Sequence, residues 1–242
     1  MSPPPLVMLQ PPIGTLALPP GASDDITVIK IFDALRSQII AGKIPPGTSI
    51  NSVDIANEFG TSRTPVREAL LMLQQYRLVT LVARRRPQVA PVSVKAIRDL
   101  YALRATLHTY LSHAIVAAAS DEALRQLHGH ALALKDQFDE LSVEDHLSHI
   151  EAYRATELAL ADNDEVLSVL ETLKWRIAWF RRLGGMSRDE LRVFAEDRVR
   201  ISSAYLERDG GLAEALNRSL LMKAARYCEQ RFAKHELRRL SA

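Results

Sequence analysis

A chain of 242 residues with 47% hydrophobic and 25% charged residues has the composition of a soluble globular protein with room for two ordinary domains. No apolar run reaches bilayer-spanning length and no basic segment leads into an apolar block, so neither membrane anchor nor signal peptide is expected, and the expected location is cytoplasmic. The single cysteine, Cys228, excludes an internal disulfide and reads as a small core residue, while the net charge of +2 is unevenly spread: residues 25–92 carry nine Lys/Arg against five Asp/Glu, and residues 93–242 carry 22 against 23. The positive stretch has the electrostatic footprint of a phosphate-binding surface.

In chain order, residues 1–24 hold seven of the twelve prolines and no Lys or Arg, and they read as a disordered Pro-rich tail. From Asp25 onward Val28, Ile31, Phe32, Leu35 and Ile39 form a helical stripe that stops at Gly42. Ile44-Pro45-Pro46-Gly47 is a turn, after which Asn51 or Ser52 opens a short helix through Val53, Ile55, Ala56 and Phe59, and Gly60 ends it. In the next stretch, GTSRTPVREAL, Thr61 or Ser62 is placed to cap a helix and Pro65 lies in its first turn. Val66, Ala69, Leu70 and Leu73 form its buried face, and Arg63, Thr64 and Arg67 project from the other side.

Helix, tight turn and helix with arginines on the free face is a DNA reader. Arg63 and Arg67 suit guanine O6/N7 or phosphates, Thr64 a base edge or phosphate, and Thr61 and Ser62 the backbone beside them. This helix ends near Gln75. Val79–Val82 and Gln88–Val92 are β-prone runs around Ala83-Arg84-Arg85-Arg86-Pro87, which makes a basic-tipped hairpin, or wing. Arg84, Arg85 and Arg86 there add phosphate or minor-groove contacts.

The remainder shows only helical stripes, at about 95–119, 121–141, 143–161, 163–183, 187–207 and 212–238. The fold class is therefore mainly α: a winged helix-turn-helix domain at 25–92, then an all-α helical bundle at 93–242 that binds effector and dimerises. Three of these helices put an arginine on an apolar face: Arg104 among Ile97, Leu100, Tyr101 and Leu111, Arg154 among Leu147, Ile150 and Leu158, and Arg198 among Leu191, Phe194, Ile201 and Tyr205. A buried guanidinium needs a carboxylate, water or ligand anion beside it. Two readings stay open, an acidic effector gripped by Arg154 and Arg198 or internal pairing with Glu157 or Glu151. His108 and Tyr153 either line that cavity or are satisfied core groups. Trp175 and Trp179 lie off the stripe of Val166, Leu170, Leu173, Ile177 and Phe180 and suit a helix–helix or dimer contact, and Arg181-Arg182 reads as a solvated helix end.

The stretch VDIANEFGTSRTPVREALLMLQQYRLV resembles, over its whole length, the winged helix-turn-helix signature of GntR-type bacterial transcription regulators. DLYALRATL and YRATELALADND are similar to helices of the all-helical FCD effector domain of the FadR subgroup, so the resemblance spans roughly residues 25–235. Two positions depart from it: Arg77 stands where the family has a glycine before Leu-Val, and Arg86-Pro87 stands at the wing tip where the family has another. The FCD branch commonly holds a divalent metal with an aspartate, a histidine four residues on, and two later histidines. Alignment on Tyr153 and Asn163 puts those positions at Ile150, Arg154, Arg198 and Leu220 or Leu221, so the resemblance implies no metal cofactor here. Asp145 and His149 keep a metal-ligand spacing off those positions, beside His146, which reads as solvated.

The expectation is a DNA-binding transcription regulator, a homodimer on two-fold operator DNA with half-sites roughly one helical turn apart. A small organic-acid or other anionic effector, held by Arg104, His108, Tyr153, Arg154, Asn163 and Arg198, modulates its operator binding. The competing expectation is a DNA-binding dimer whose helical half is structural only. An enzyme is not expected, since the chain has no nucleophile motif, phosphate-cradling glycine loop or paired catalytic carboxylates.

Overall fold

The structure, a computed structural model, describes residues 25–240, with side chains from Ile26 to Lys234. The expected tail at 1–24 lies outside the described residues. Among the described residues the chain forms helices α1 (Asp25–Ile40), α2 (Ser52–Glu58) and α3 (Arg63–Gln75), then strands β1 (Val79–Thr80) and β2 (Gln88–Val89). Six further helices follow: α4 (Val94–Ala118), α5 (Asp121–Asp136), α6 (Val143–Ala159), α7 (Asp164–Gly184), α8 (Arg188–Leu206) and α9 (Gly210–Leu240). The described residues form two compact units, one of residues 25–100, 170–185 and 228–240, the other of residues 101–169 and 186–227.

In the first unit the α1 stripe of Val28, Ile31, Phe32, Leu35 and Ile39 is buried, as are Val66, Ala69, Leu70 and Leu73 of α3, against which α1 packs. The Phe32 and Tyr76 rings extend this contact at 5.8 Å between centroids. Asn51, rather than Ser52, caps α2 by accepting from the Val53 N–H at 3.1 Å. The chain reverses into α3 at Gly60, whose φ of +59° favours a residue without a Cβ. Ser62 takes the extended N-cap backbone of α3, but neither it nor Thr61 supplies the expected side-chain cap. The reason lies three residues on, where Pro65 has no N–H to offer the Ser62 hydroxyl.

The wing is shorter than its β-prone sequence. Only Val79↔Val89 and Thr80↔Gln88 pair, and a bridge from Ser49 to Gln88 extends the edge. The expected strands to Val82 and Val92 stop early because Arg84 is left-handed (φ +62°), Arg85 N–H closes a turn on Val82 O at 3.1 Å, and Pro87 and Pro91 cannot donate to a ladder. Trp175, in the second half of α7, packs on the Arg36 guanidinium of α1 at 4.0 Å from its ring centroid, so the helix–helix role expected of it is met inside this unit. Cys228 is a buried free thiol, and Trp179 is buried.

In the second unit α5 packs chiefly on α8 and also on α6, around Phe138, Ile150, Leu191 and Ala195 with Leu147 and Met186. Serines start three of its helices: Ser120 caps α5, Ser142 caps α6, and Ser187 with Glu190 forms a capping box on α8.

The end of α3 explains one departure noted above. The Leu78 N–H bonds to Leu73 O at 3.0 Å and the Arg77 N–H to Gln74 O at 2.8 Å, the Schellman pattern, with Arg77 at the position that must turn left-handed, φ +53°. A glycine adopts that φ freely, and an arginine pays roughly 1–2 kcal/mol for it. Arg77→Gly is therefore expected to raise unfolding stability by about 1 kcal/mol, the relief being offset in part by the freer unfolded chain. Urea denaturation checks this, and an unchanged or lowered midpoint contradicts the strain argument.

Candidate functional site

Ser62, Arg63, Thr64 and Arg67 are exposed at the start of α3, with Thr61 half-buried before them, while the opposite face of the helix is core. Between this face and the wing runs an open groove of about 670 Å³, lined by Arg63, Thr64, Arg67 and Gln74 on one side and Val82, Ala83 and Pro87 on the other. No carboxylate lines it. Arg84, Arg85 and Arg86 are exposed on the turn beyond. Among the described residues none of these five arginines has an acidic partner, so their donors remain available to phosphates and base edges. The uncapped Ser62 hydroxyl and the first-turn N–H groups of α3, at the positive end of its dipole, add phosphate donors.

The second site is inside the helical unit. Arg104 and His108 on α4, Tyr153, Arg154 and Glu157 on α6, and Arg198 on α8 surround a cavity of about 30 Å³, closed by Asn217, Leu220 and Leu221 of α9. A space of that size holds one or two water molecules at roughly 10–15 Å³ each. Arg104 is 5% exposed and Arg198 8%. The Arg104 guanidinium lies 5.1 Å from the Tyr101 ring centroid, and Arg198 lies 5.8 Å from that of Tyr153 and donates to Phe194 O at 2.8 Å. Arg154 pairs with the exposed Glu151 at 3.0 Å, one of the two internal partners named from the sequence.

Glu157, the other, is the buried carboxylate at the centre. It accepts from Tyr205 Oη at 3.0 Å, and Asn217 Nδ2 donates both to Tyr205 Oη at 2.8 Å and to Ser112 Oγ at 3.1 Å. Burial pushes its pKa up, against the Tyr205 hydrogen bond and the charges of Arg198, Arg154 and Arg104. Burial, reinforced by Arg104, Arg154 and Arg198, holds His108 well below its usual pKa, so its ring is neutral. The Tyr153 hydroxyl and both His108 nitrogens have no partner at hydrogen-bonding geometry.

Asn163 does not join this group. Its Oδ1 accepts from Val166 N–H at 2.9 Å at the start of α7 and its Nδ2 donates to Tyr110 Oη at 2.7 Å, so its amide is consumed as a helix cap. Of the positions aligned with the family's metal ligands, Arg154, Arg198, Leu220 and Leu221 meet around the cavity, and Ile150 sits in the apolar cluster with Phe138. Asp145 is exposed and accepts from Ser142 Oγ at 2.6 Å, whereas His149 is buried. Among the described residues no three His, Cys, Asp or Glu side chains are grouped to hold a metal. His146 is not solvated as expected. It is buried with its ring edge-on to Phe138 at 4.8 Å, because the first turns of α6 fold over the end of α5.

Residues 27–89 match the family described as "Bacterial regulatory proteins, gntR family". The Nta operon transcriptional regulator of Aminobacter aminovorans is 29% identical over 163 residues, covering 67% of this chain and 76% of that protein. The gluconate operon transcriptional repressor of Bacillus subtilis is 31% identical over 134 residues, 53% of this chain and 55% of that one. In fold, the chain is similar to E. coli McbR/YncC, with a TM-score of 0.68 at 18% identity over 85% of this chain and 98% of that one. The chain carries a GntR-family DNA-binding domain, that of a transcription regulator. The regulator is thus a DNA-binding protein and not an enzyme.

Ser112, Tyr205 and Asn217 of the regulator were not singled out as site residues from sequence. Tyr205 stands on the apolar stripe of α8 as an ordinary core residue, and the one available signal was Asn217, a buried amide in need of partners.

Burial, with smaller contributions from Arg198, His149 and Arg188, lowers the His146 pKa from 6.5 to about 4. The unfolded chain therefore takes up a proton that the folded regulator refuses, so this stability is complete above pH 6.5 and is lost as pH falls toward 4. Thermal melts at pH 7.5 and pH 5 are expected to show a lower Tm in acid and a smaller drop for His146→Leu. An equal drop in both proteins contradicts the linkage.

Proposed function

We propose that the regulator is a homodimer of the FadR subgroup with an FCD-type helical domain, acting in the cytoplasm on two-fold operator DNA. We further propose that a small anionic metabolite in the helical domain modulates its operator binding. The observation that supports this reading is the convergence of buried Arg104 and Arg198 and half-buried Arg154 on a cavity lined by one carboxylate, Glu157. Glu151 pairs with Arg154 from outside, and burial raises the Glu157 pKa, which makes its charge easy to shift. The arginine fork matches a carboxylate or phosphate directly, so the guanidiniums stand in for the metal that relatives place between ligand and protein.

A cavity of about 30 Å³ is smaller than any organic acid, so ligand entry requires side chains to move. The ligand's carboxylate then takes over the guanidiniums, and Glu157 is free to accept a proton. Because effector and operator binding are linked, DNA changes effector affinity by the same factor. The small cavity also favours a second reading, a helical unit that is structural only. On that reading no small acid stabilises the protein.

On the DNA side, Arg63→Ala and Arg67→Ala are each expected to weaken operator binding by about 1–3 kcal/mol, roughly tenfold to a hundredfold. Replacing Arg84, Arg85 and Arg86 together by Ala is expected to lower the salt slope of binding by about 2 to 3, since each phosphate contact contributes roughly 0.9. Anisotropy titrations at several salt concentrations measure both effects. A wing variant with an unchanged slope removes the wing from the interface.

For the effector, a thermal-shift series of organic acids, sugar acids and acyl compounds, with and without EDTA, tests ligand class and metal dependence together. The double variant Arg154→Met/Arg198→Met is expected to lose ligand-induced stabilisation while keeping its fold. Undiminished stabilisation in that variant overturns the assignment.

A further inference from the structure

The unit that carries the winged helix has another concavity, an open cleft of about 460 Å³ where the end of α3, the root of the wing and the second half of α7 come together. Its size is within the range of small-molecule pockets, roughly 300–1,000 Å³. Part of its lining is apolar, from Val79, Ala90, Pro91, Ala96 and Phe180, and suits a short carbon skeleton. Its polar lining consists of Gln74, Arg77, Thr80, Arg176 and Trp179, with no carboxylate.

Two features make this lining more than a basic surface. Trp179 is 1% exposed, and its Nε1, which can only donate, has no hydrogen-bond partner. A buried indole usually finds one. Arg176 is half-buried, its guanidinium 5.5 Å from the Phe180 ring centroid, and neither it nor Arg77 has an acidic partner among the described residues. Burial, and then the like charge of Arg77, both lower the Arg176 pKa, so the two guanidiniums repel across the cleft. Two unanswered guanidiniums and one orphaned donor around a concave, partly apolar space define a receptor for an anion.

We propose that this cleft is an anion site, separate from the arginines of the helical unit, that takes a small organic acid or phosphate compound. Its oxyanion lies between Arg77 and Arg176, with the Trp179 indole N–H as the inner donor. The bound anion neutralises the repulsion at Arg77, the residue that ends the DNA-reading helix α3 and leads into β1, so occupancy bears directly on the reading head.

The experiment is a titration of the full chain, labelled with ¹⁵N, followed at the tryptophan indole signals, with Trp175→Phe assigning Trp179. Succinate and inorganic phosphate are the probes, at constant ionic strength with chloride as control, and they separate a carboxylate source from a phosphate source. The Trp179 signal is expected to shift saturably with at least one probe. Arg176→Met is expected to weaken binding about tenfold or more, and Arg176→Lys, which keeps charge but loses the fork, by less.

The Arg154→Met/Arg198→Met variant is expected to titrate like the parent. Loss of the response in that variant assigns the anion to the helical unit and overturns the proposal. So does an equal response to chloride, or no response at millimolar probe. Weakened operator binding by Arg176→Met with no response to either probe assigns the pair to the DNA backbone and likewise overturns it.

Discussion

A guanidinium group taken out of water has to be answered by negative charge or by oriented dipoles in the same place, and the helical unit takes in three of them. Glu157 is the point at which that demand is met. Its carboxylate on α6 accepts from Tyr205 of α8, Asn217 of α9 donates to both Tyr205 and Ser112 of α4, and the Ser112 hydroxyl donates to the His108 carbonyl at 2.8 Å. Four helices are thereby tied through one polar chain at the centre of the unit. Such a network specifies a unique packing only if every member is satisfied, and here the orphaned His108 nitrogens and Tyr153 hydroxyl mark its open side.

The same residue type does opposite work in the unit that carries the winged helix. There the arginines of α3 and the wing are exposed and have no acidic partners among the described residues, and Arg63 and Arg67 line a groove without carboxylates, so their donors stay accessible to an incoming anion. What separates the two uses is position on the helical period. Arg63 and Arg67 lie opposite Val66, Leu70 and Leu73, whereas Arg154 and Arg198 fall on the stripes that face the core.

That period is why much of the architecture could be read from the residues alone. The stripe of α1, the buried face of α3 and the order of the helices from α4 to α9 all follow from amphipathic spacing and from Gly, Ser and Pro punctuation. What stayed hidden depends on groups distant in sequence or on single dihedrals. Ser62 has the cap residue's identity but loses its partner to Pro65, and Asn163 reads as a cavity residue by position while its amide caps the start of α7. His146 is polar and near a helix start, which reads as solvent, yet Phe138 covers it. The cleft beside α3 draws on residues 74–96 and 176–180, which no local pattern connects.

Arg77 concentrates these themes in one residue. A glycine at the end of α3 would turn left-handed without strain and bring no charge, so arginine is the worse choice for the fold on two counts: its φ of +53° and its like-charged neighbour Arg176. Nothing in the packing of α3 or the wing requires its side chain, which is exposed. Strain and repulsion at one position, uncompensated by packing, direct attention to what the guanidinium does there rather than to the backbone. An anion in the cleft removes the repulsive part and leaves the backbone part, so the penalty at Arg77 is smaller in the occupied state. Because α3 ends at this residue, that difference acts at the base of the helix that reads DNA.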